Sequence, residues 1–174
     1  MPLSKHLILT GFMGTGKTTV GKLLAEKLNC PLVDTDAEVE KSVKQSISSL
    51  FAEKGEAVFR DWESRVLKEV LSGPPRVVTT GGGIVLRQEN RRMMRSLGWV
   101  VCLTADRDEL LHRLKGDESR PLLQGNARQK VEQLLEERRG YYRDSDWVID
   151  TTGKTPEEVA DEVISAIQKE FSQV

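Results

Sequence analysis

Residues 7–19, LILTGFMGTGKTT, bring two fixed glycines, a lysine and two threonines to the end of an apolar run. Gly11 and Gly16-Lys17-Thr18 stand at the spacing GxxxxGK[ST]. A backbone that wraps closely on glycine points successive N–H groups into one anion-sized hollow, and a helix starting at the same place adds its own unpaired donors. Lys17 supplies a mobile positive charge for the β and γ phosphates of a nucleoside triphosphate, and the Thr18 hydroxyl suits Mg²⁺.

Further groups along the chain invite chemistry. Asp34 and Asp36 follow Leu32-Val33 and stand at the carboxyl end of a predicted strand, the edge at which open α/β sheets bind ligands. Alternate positions in an extended stretch face the same way, so both carboxylates are expected to approach one bound metal and substrate; a plain solvated turn is the other reading. Arg60 and Glu63 lie three apart in a helical pattern, which fits either a surface ion pair or part of a site. Gly81-Gly82-Gly83 follows Val77-Val78-Thr79 and Thr80; successive glycines are entropically costly and make sense where a ligand comes too close for any Cβ. Residues 115–126, KGDESRPLLQGN, carry glycines near both ends and Arg120 before a proline, which suits a lid that brings arginine to the transferring phosphates. Arg138 and Arg139 close a charged helix, where the helix dipole alone favours arginine, and one of the two is a candidate to point into the site.

The elements that must position these groups alternate regularly. Apolar strands are predicted at Leu7–Leu9, Leu32–Val33, Val77–Thr79, Trp99–Leu103 and Trp147–Ile149, with WVVCL the most apolar and expected at the sheet centre. Helical periodicity begins at Thr18, with Val20, Leu23, Leu24 and Leu28 on one face, and returns over Ala37–Lys44, Ser46–Lys54, Glu56–Leu71, Gln88–Leu97, Asp106–Leu114 and Ala127–Arg139. Phe59, Trp62, Val66 and Val70 are expected to face the core, and Arg91, Arg92 and Arg95 to form a solvated face. Thr155-Pro156-Glu157-Glu158 is a capping box with proline at the first helical position, opening a helix that should bury Val159, Val163, Ile164 and Ile167. This alternation predicts the α/β class, a three-layer sandwich whose five-stranded parallel sheet is covered on both sides.

The 174 residues are expected to make one domain, and Lys+Arg 26 against Asp+Glu 27 leaves a net charge of −1. That balance gives no reason to expect nucleic acid or an anionic membrane as a partner. Cys30 and Cys102 sit beside apolar residues outside any metal or redox spacing, and read as buried free thiols in a reducing compartment. His6 and His112 are too isolated for a metal site. The chain starts directly into a strand and has no apolar stretch of transmembrane length, so a cytoplasmic enzyme is expected.

A phosphate loop implies nucleotide binding without saying what becomes of the γ-phosphate. The chain lacks the NKxD motif with which regulatory GTPases read guanine, and it is short for a motor or transporter module. A small kinase remains, with a compact acceptor near Asp36, Arg60 and the glycines. Arginine pairs best with a carboxylate, so that acceptor is expected to be an anion. Six pieces in order now resemble the shikimate kinase family over essentially the whole length: GFMGTGKTT at Gly11–Thr19, DTD at Asp34–Asp36, FRDWE at Phe59–Glu63, TGGG at Thr80–Gly83, RPLL at Arg120–Leu123 and ERRGYY at Glu137–Tyr142.

The resemblance implies a P-loop fold of the nucleoside-monophosphate-kinase-like type, phosphorylation of the shikimate 3-hydroxyl by MgATP in the chorismate route to aromatic amino acids, and a cytoplasmic monomer. It implies that Gly14, Thr15, Gly16, Lys17, Thr18 and Thr19 hold the ATP phosphates, with Thr18 on Mg²⁺ and Asp34 supporting the metal through water. Asp36 would bind shikimate hydroxyls and take the proton. Arg60 and Arg138 would clamp the carboxylate, with Glu63 orienting Arg60, and Gly82, between Gly81 and Gly83, would contact the ring. Lys17, Asp36 and Arg120 are thus the candidate catalytic residues, Arg120 meeting the ATP phosphates and Lys154 standing near an adenine-side position. An acceptor-binding helical region is expected over about 34–62 and a lid over about 114–126. The family pattern usually has Pro-Leu-Tyr where this chain has Gly140-Tyr141-Tyr142, so the choice between Arg138 and Arg139 rests on the Glu-Arg alignment, which favours Arg138. The lid is also short between Gly116 and Arg120. The alternatives are a related kinase, such as a gluconate kinase, and a non-enzymatic nucleotide-dependent regulatory module.

Overall fold

Strands that read as continuous apolar runs have to be covered on both faces. In the computed structural model, which describes residues 2–115 and 126–172, the three inner strands are, while the edge strand at Trp147–Asp150 leaves Val148 exposed. Strands β1 (His6–Gly11), β2 (Leu32–Asp34), β3 (Val77–Thr79), β4 (Gly98–Thr104) and β5 (Trp147–Asp150) form one parallel sheet in the order β2-β3-β1-β4-β5. The helices are α1 (Lys17–Leu28), α2 (Thr35–Val43), α3 (Ile47–Lys54), α4 (Glu56–Leu71), α5 (Gln88–Leu97), α6 (Arg107–Leu114), α7 (Ala127–Tyr142) and α8 (Pro156–Phe171), with a 3₁₀ turn at Ile84–Leu86. WVVCL lies in the interior of the sheet, in β4, but the middle strand is β1. The loop-bearing strand takes the centre because later strands add on both of its sides, β3 pairing Leu9 with Thr79 and β4 pairing Thr10 with Cys102.

The two-residue period of a strand divides the core. Leu7, Leu9, Val101, Leu103 and Ile149 pack against α1 and α8, while Ile8, Val78, Val100 and Cys102 pack against the helices of the other layer. The capping box opening α8 is complete: the Thr155 hydroxyl accepts from the Glu158 N–H at 3.2 Å, and Glu158 Oε2 accepts from the Thr155 N–H at 2.7 Å. Val159, Val163 and Ile167 are buried as expected, and Ile164 is half-buried. Cys102 is buried and Cys30 only partly so; both are free thiols.

The polar helix α5 departs from expectation at Arg91. Its guanidinium donates to the Val85 carbonyl at 2.7 Å, lies 4.5 Å from the Tyr141 ring centroid and pairs with Asp144 at 3.4 Å. Arg95 also reaches Asp144, at 2.9 Å. That side of α5 looks onto the carboxyl end of α7 rather than onto water, and only Arg92 and Arg95 keep an exposed character. Among the described residues, no helix is long and apolar enough to cross a membrane.

The strand order decides where ligands can sit. β1 and β3 are hydrogen-bonded neighbours, and the Thr80 N–H donates to the Leu9 carbonyl at 3.2 Å, so their two glycine-bearing loops leave the carboxyl edge side by side. β2 ends beside them, with Asp34 in register with Thr79. Chain reversal at such an edge leaves a crevice outside the strand ends.

Candidate active site

The loop after β1 reaches α1 through glycines at positive φ, 81° at Gly14 and 94° at Gly16. Gly16 is the cap of α1, and no side chain bonds the first turn, whose donors are left for an anion. Lys17 is buried, and its Nζ donates to the Gly11 and Phe12 carbonyls at 2.6 and 2.9 Å, which lays the ammonium across its own loop. Gly14, Gly16, Lys17, Thr18 and Thr19 line a cavity of about 260 Å³ together with Asp34, Asp36 and Gly82. Thr15 supports the loop from beneath, its hydroxyl donating to the Phe12 carbonyl at 2.8 Å.

Asp34 and Asp36 meet the same cavity by a different route from the one expected. The chain is not extended through Asp36; it turns into α2 at Thr35. Asp34 caps that helix, Oδ1 accepting from the Ala37 N–H at 2.9 Å, while Oδ2 accepts from the Thr79 hydroxyl at 2.7 Å. Asp36 therefore projects from the first turn of a helix and not from alternate strand positions. The Thr18 hydroxyl and Asp34 carboxylate fit Mg²⁺, which keeps several waters and phosphate oxygens and needs few protein ligands. Each Asp34 oxygen accepts one bond, which fixes the carboxylate and leaves lone pairs for metal-bound water.

A second cavity, of about 380 Å³, adjoins the first through Met13, Thr18, Asp34 and Asp36. Arg60 from α4 and Arg138 from α7 both line it, at 8% and 2% exposure. Arg60 Nη1 pairs with Glu63 Oε1 at 2.9 Å and Nη2 with Glu56 Oε1 at 3.2 Å. With Glu63 at 1% exposure, the surface-pair reading of Arg60 and Glu63 falls. Glu63 Oε2 and Nε of both arginines lack a hydrogen-bond partner among the described residues. Burial pushes the Glu63 carboxyl up to about 7; the Arg60 charge opposes that rise and Asp36 adds to it. Protonation of Glu63 would withdraw one of the carboxylates that face Arg60, and the two buried guanidinium groups, with an Nε on each lacking a partner among the described residues, suit an anionic group between them. Arg139 is exposed and lines a different groove, between α6 and α7, so Arg138 is the arginine that the structure brings to Arg60.

The glycine run has another cause than the ligand approach expected of it. A Cβ on Gly81 would stand 2.6 Å from Asp36 Oδ1 and 3.0 Å from Glu63 Oε2. One on Gly83 would stand 2.3 Å from the Arg60 guanidinium. At these two positions the protein's own acceptor-site side chains fill the space. All three glycines line the cavity, and Gly82, where the nearest atom would be Arg138 Nη1 at 3.4 Å, is the least crowded of them.

Two residues enter that sequence reading missed. Tyr142 donates its hydroxyl to the Gly82 carbonyl at 2.6 Å. Arg113, near the end of α6, donates to the Gly14 carbonyl at 2.9 Å and to the Thr151 hydroxyl at 3.3 Å, tying the phosphate loop to the turn after β5. Its position four residues after Glu109, with which it pairs, was the available signal. Lys154 is exposed, pairs with Glu162 at 2.8 Å, and does not line the phosphate-loop cavity. Arg120 and most of the expected lid lie outside the described residues.

A family model described as shikimate kinase matches residues 13–168. Curated shikimate kinases of Thermodesulfovibrio yellowstonii and Persephonella marina are each 43% identical to the chain, covering 95% and 94% of it and 96% and 99% of their own lengths. The solved structure of Acinetobacter baumannii shikimate kinase in complex with shikimate aligns with a TM-score of 0.93 at 36% identity, covering 95% of this chain and 94% of that one. A gluconokinase from Sinorhizobium meliloti, 16% identical with a TM-score of 0.61, shares the fold.

Proposed function

The chain belongs to the shikimate kinase family and transfers the γ-phosphoryl group of ATP to the shikimate 3-hydroxyl, and we propose how its own residues divide that work. The observation that carries the assignment is the pair of buried arginines, Arg60 and Arg138, facing one cavity that opens onto the phosphate loop. They hold the acceptor carboxylate, and Glu63 orients Arg60 through the 2.9 Å contact. Asp36 binds the acceptor hydroxyls and positions the 3-hydroxyl for in-line attack on the γ-phosphorus. A loose transition state needs little early proton removal, so Asp36 takes the proton late. Gly82 contacts the ring through its backbone, with Gly81 and Gly83 giving room to the side chains around it.

Gly14, Thr15, Gly16, Lys17, Thr18 and Thr19 hold the ATP phosphates. Lys17 moves from its loop carbonyls to the β and γ oxygens, and Arg120 joins it from the lid at 114–126 to meet charge as it develops. Mg²⁺, held by Thr18 and through water by Asp34, would neutralise the β and γ phosphates. Lys154 serves the adenine side. The whole chain is one kinase domain, with the acceptor carried by the helical region at 34–62, and it works as a cytoplasmic monomer without nucleic-acid or membrane partners; the net charge of −1 supports that last reading.

The test is ADP release from MgATP with shikimate, quinate, gluconate and AMP each offered separately. Stimulation by shikimate alone is expected. Stimulation by gluconate alone, or by none of them despite ATP binding, would overturn the assignment.

A further inference from the structure

Two of the acceptor contacts, Gly82 and Arg138, lie 56 positions apart in sequence and have to be held in one geometry. Tyr142, on the same helix as Arg138, hydrogen-bonds the glycine run directly. It sits one helical turn beyond Arg138 on α7, so the two share a helix face. Its hydroxyl donates to the Gly82 carbonyl at 2.6 Å, and its ring is buried at 7% exposure. Burial pushes the phenol up to about 12 while the Arg138 charge opposes the rise, so the hydroxyl keeps its proton across the working pH range.

Neighbouring contacts show why this bond has leverage. The Gly81 N–H donates to the Thr35 hydroxyl at 3.3 Å, and Asn90 donates to the Ile84 carbonyl at 3.0 Å, so the glycine run is tied on either side of Gly82. At Gly82 itself the tie comes from Tyr142. A peptide carbonyl fixed in direction also fixes the plane of its peptide unit, because the unit is rigid. The bond thus sets the face of the glycine run that meets the acceptor. The end of α7 that carries Tyr142 includes Gly140, a weak helix former. Arg91 compensates: from α5 it holds the Tyr141 ring, Asp144 and the Val85 carbonyl together.

We infer that Tyr142 is a positioning residue for the acceptor, locking the Gly82 peptide to the helix face that carries Arg138. It acts on substrate only through those two groups. The inference rests on the acceptor reading above and adds to it the part that makes the clamp rigid.

Tyr142→Phe removes the hydroxyl and keeps the ring volume, so the fold should survive. Shikimate affinity, by titration calorimetry without nucleotide, should weaken by about 3- to 10-fold, the range for one lost hydrogen bond. The acceptor KM should rise in parallel, with the ATP KM unchanged and the melting temperature lowered only by the few degrees that one lost buried hydrogen bond costs. Tyr142→Leu, which also removes the packing beside Arg138, should weaken acceptor binding further and also leave the ATP KM in place. An acceptor Kd within twofold of the parent in Tyr142→Phe would overturn the inference. So would equal loss of affinity for shikimate and ATP, the pattern of a merely structural residue. If the parent itself bound no shikimate, the failure would lie in the proposed acceptor, and the positioning role would fall with it.

Discussion

The two halves of the site are made differently. The proposed nucleotide half is a stretch of nine residues, Gly11–Thr19, in which backbone donors, the helix-capping Gly16 and one lysine would make the binding surface. The proposed acceptor half is assembled from buried and half-buried side chains on α2, α4 and α7 around a glycine run, with Asp36, Arg60, Glu63 and Arg138 meeting from segments that span more than 100 residues. A phosphate is recognised wherever a helix begins with unfilled N–H groups. A particular small acid needs charges placed by the whole fold. Substitutions should therefore separate cleanly into those that damage transfer from ATP and those that damage the hold on the acceptor.

Lys17→Met gives the largest effect, lowering kcat by about 10²- to 10³-fold, the scale for one donor aimed at developing charge. Stopped kinetics with the acceptor saturated would measure it, and shikimate affinity without nucleotide should stay put. Arg60→Ala comes next and falls on the other side. Its acceptor KM should rise by about 30- to 1,000-fold, because the change removes one buried charge and strands Glu63 beside Asp36. An unchanged acceptor KM in Arg60→Ala would break the division between the halves.

A smaller pair sharpens the division within the glycine run. Gly83→Ala places a methyl group 2.3 Å from the Arg60 guanidinium, against 3.4 Å from Arg138 Nη1 in Gly82→Ala. Overpacking at Gly83 should raise the acceptor KM by about tenfold and Gly82→Ala by only about twofold, with the ATP KM unmoved in both. Equal effects would mean that ligand approach, and not Arg60, accounts for the glycines.

The mildest effect is on pH. The Glu63 carboxyl is raised from an ordinary 4.5 to about 7 by burial, against the pull of Arg60. Its folded value lies above its unfolded one, so its contribution to stability is complete below 4.5 and is lost as pH rises through 7. Ionisation also restores an anion that competes with the acceptor for Arg60. The acceptor KM should consequently rise a few-fold between about pH 6 and about pH 8, and Glu63→Gln should flatten that rise. A flat profile in the parent would place Glu63 permanently in one protonation state.

The same contrast explains what could be read from the amino-acid order. The strand, turn and helix around Gly11–Thr19 were legible because contiguous residue types dictate them, whereas the Arg113 contact with Gly14 comes from far along the chain. Strand and helix spans followed from periodicity for the same reason. Asp36 was found but wrongly posed, since Asp34 as a helix cap stops the extended chain one residue earlier than alternation requires. The glycine run was recognised as a close approach, but its occupants come from α2 and α4, and no local pattern names them. Whether Arg138 or Arg139 faces the site depends on the rotation of α7 over the sheet, which packing decides. Tyr142 and Gly82 meet across 60 residues, and only the folded chain puts them together.

The most direct test compares shikimate with its methyl ester, by titration calorimetry on the protein without nucleotide. The ester keeps the ring and every hydroxyl and loses only the charge that Arg60 and Arg138 would hold. Shikimate should bind, and the ester should bind at least about 30-fold more weakly. Equal affinity for the two would contradict a carboxylate clamp, and the buried arginines would then need another reason to face the cavity.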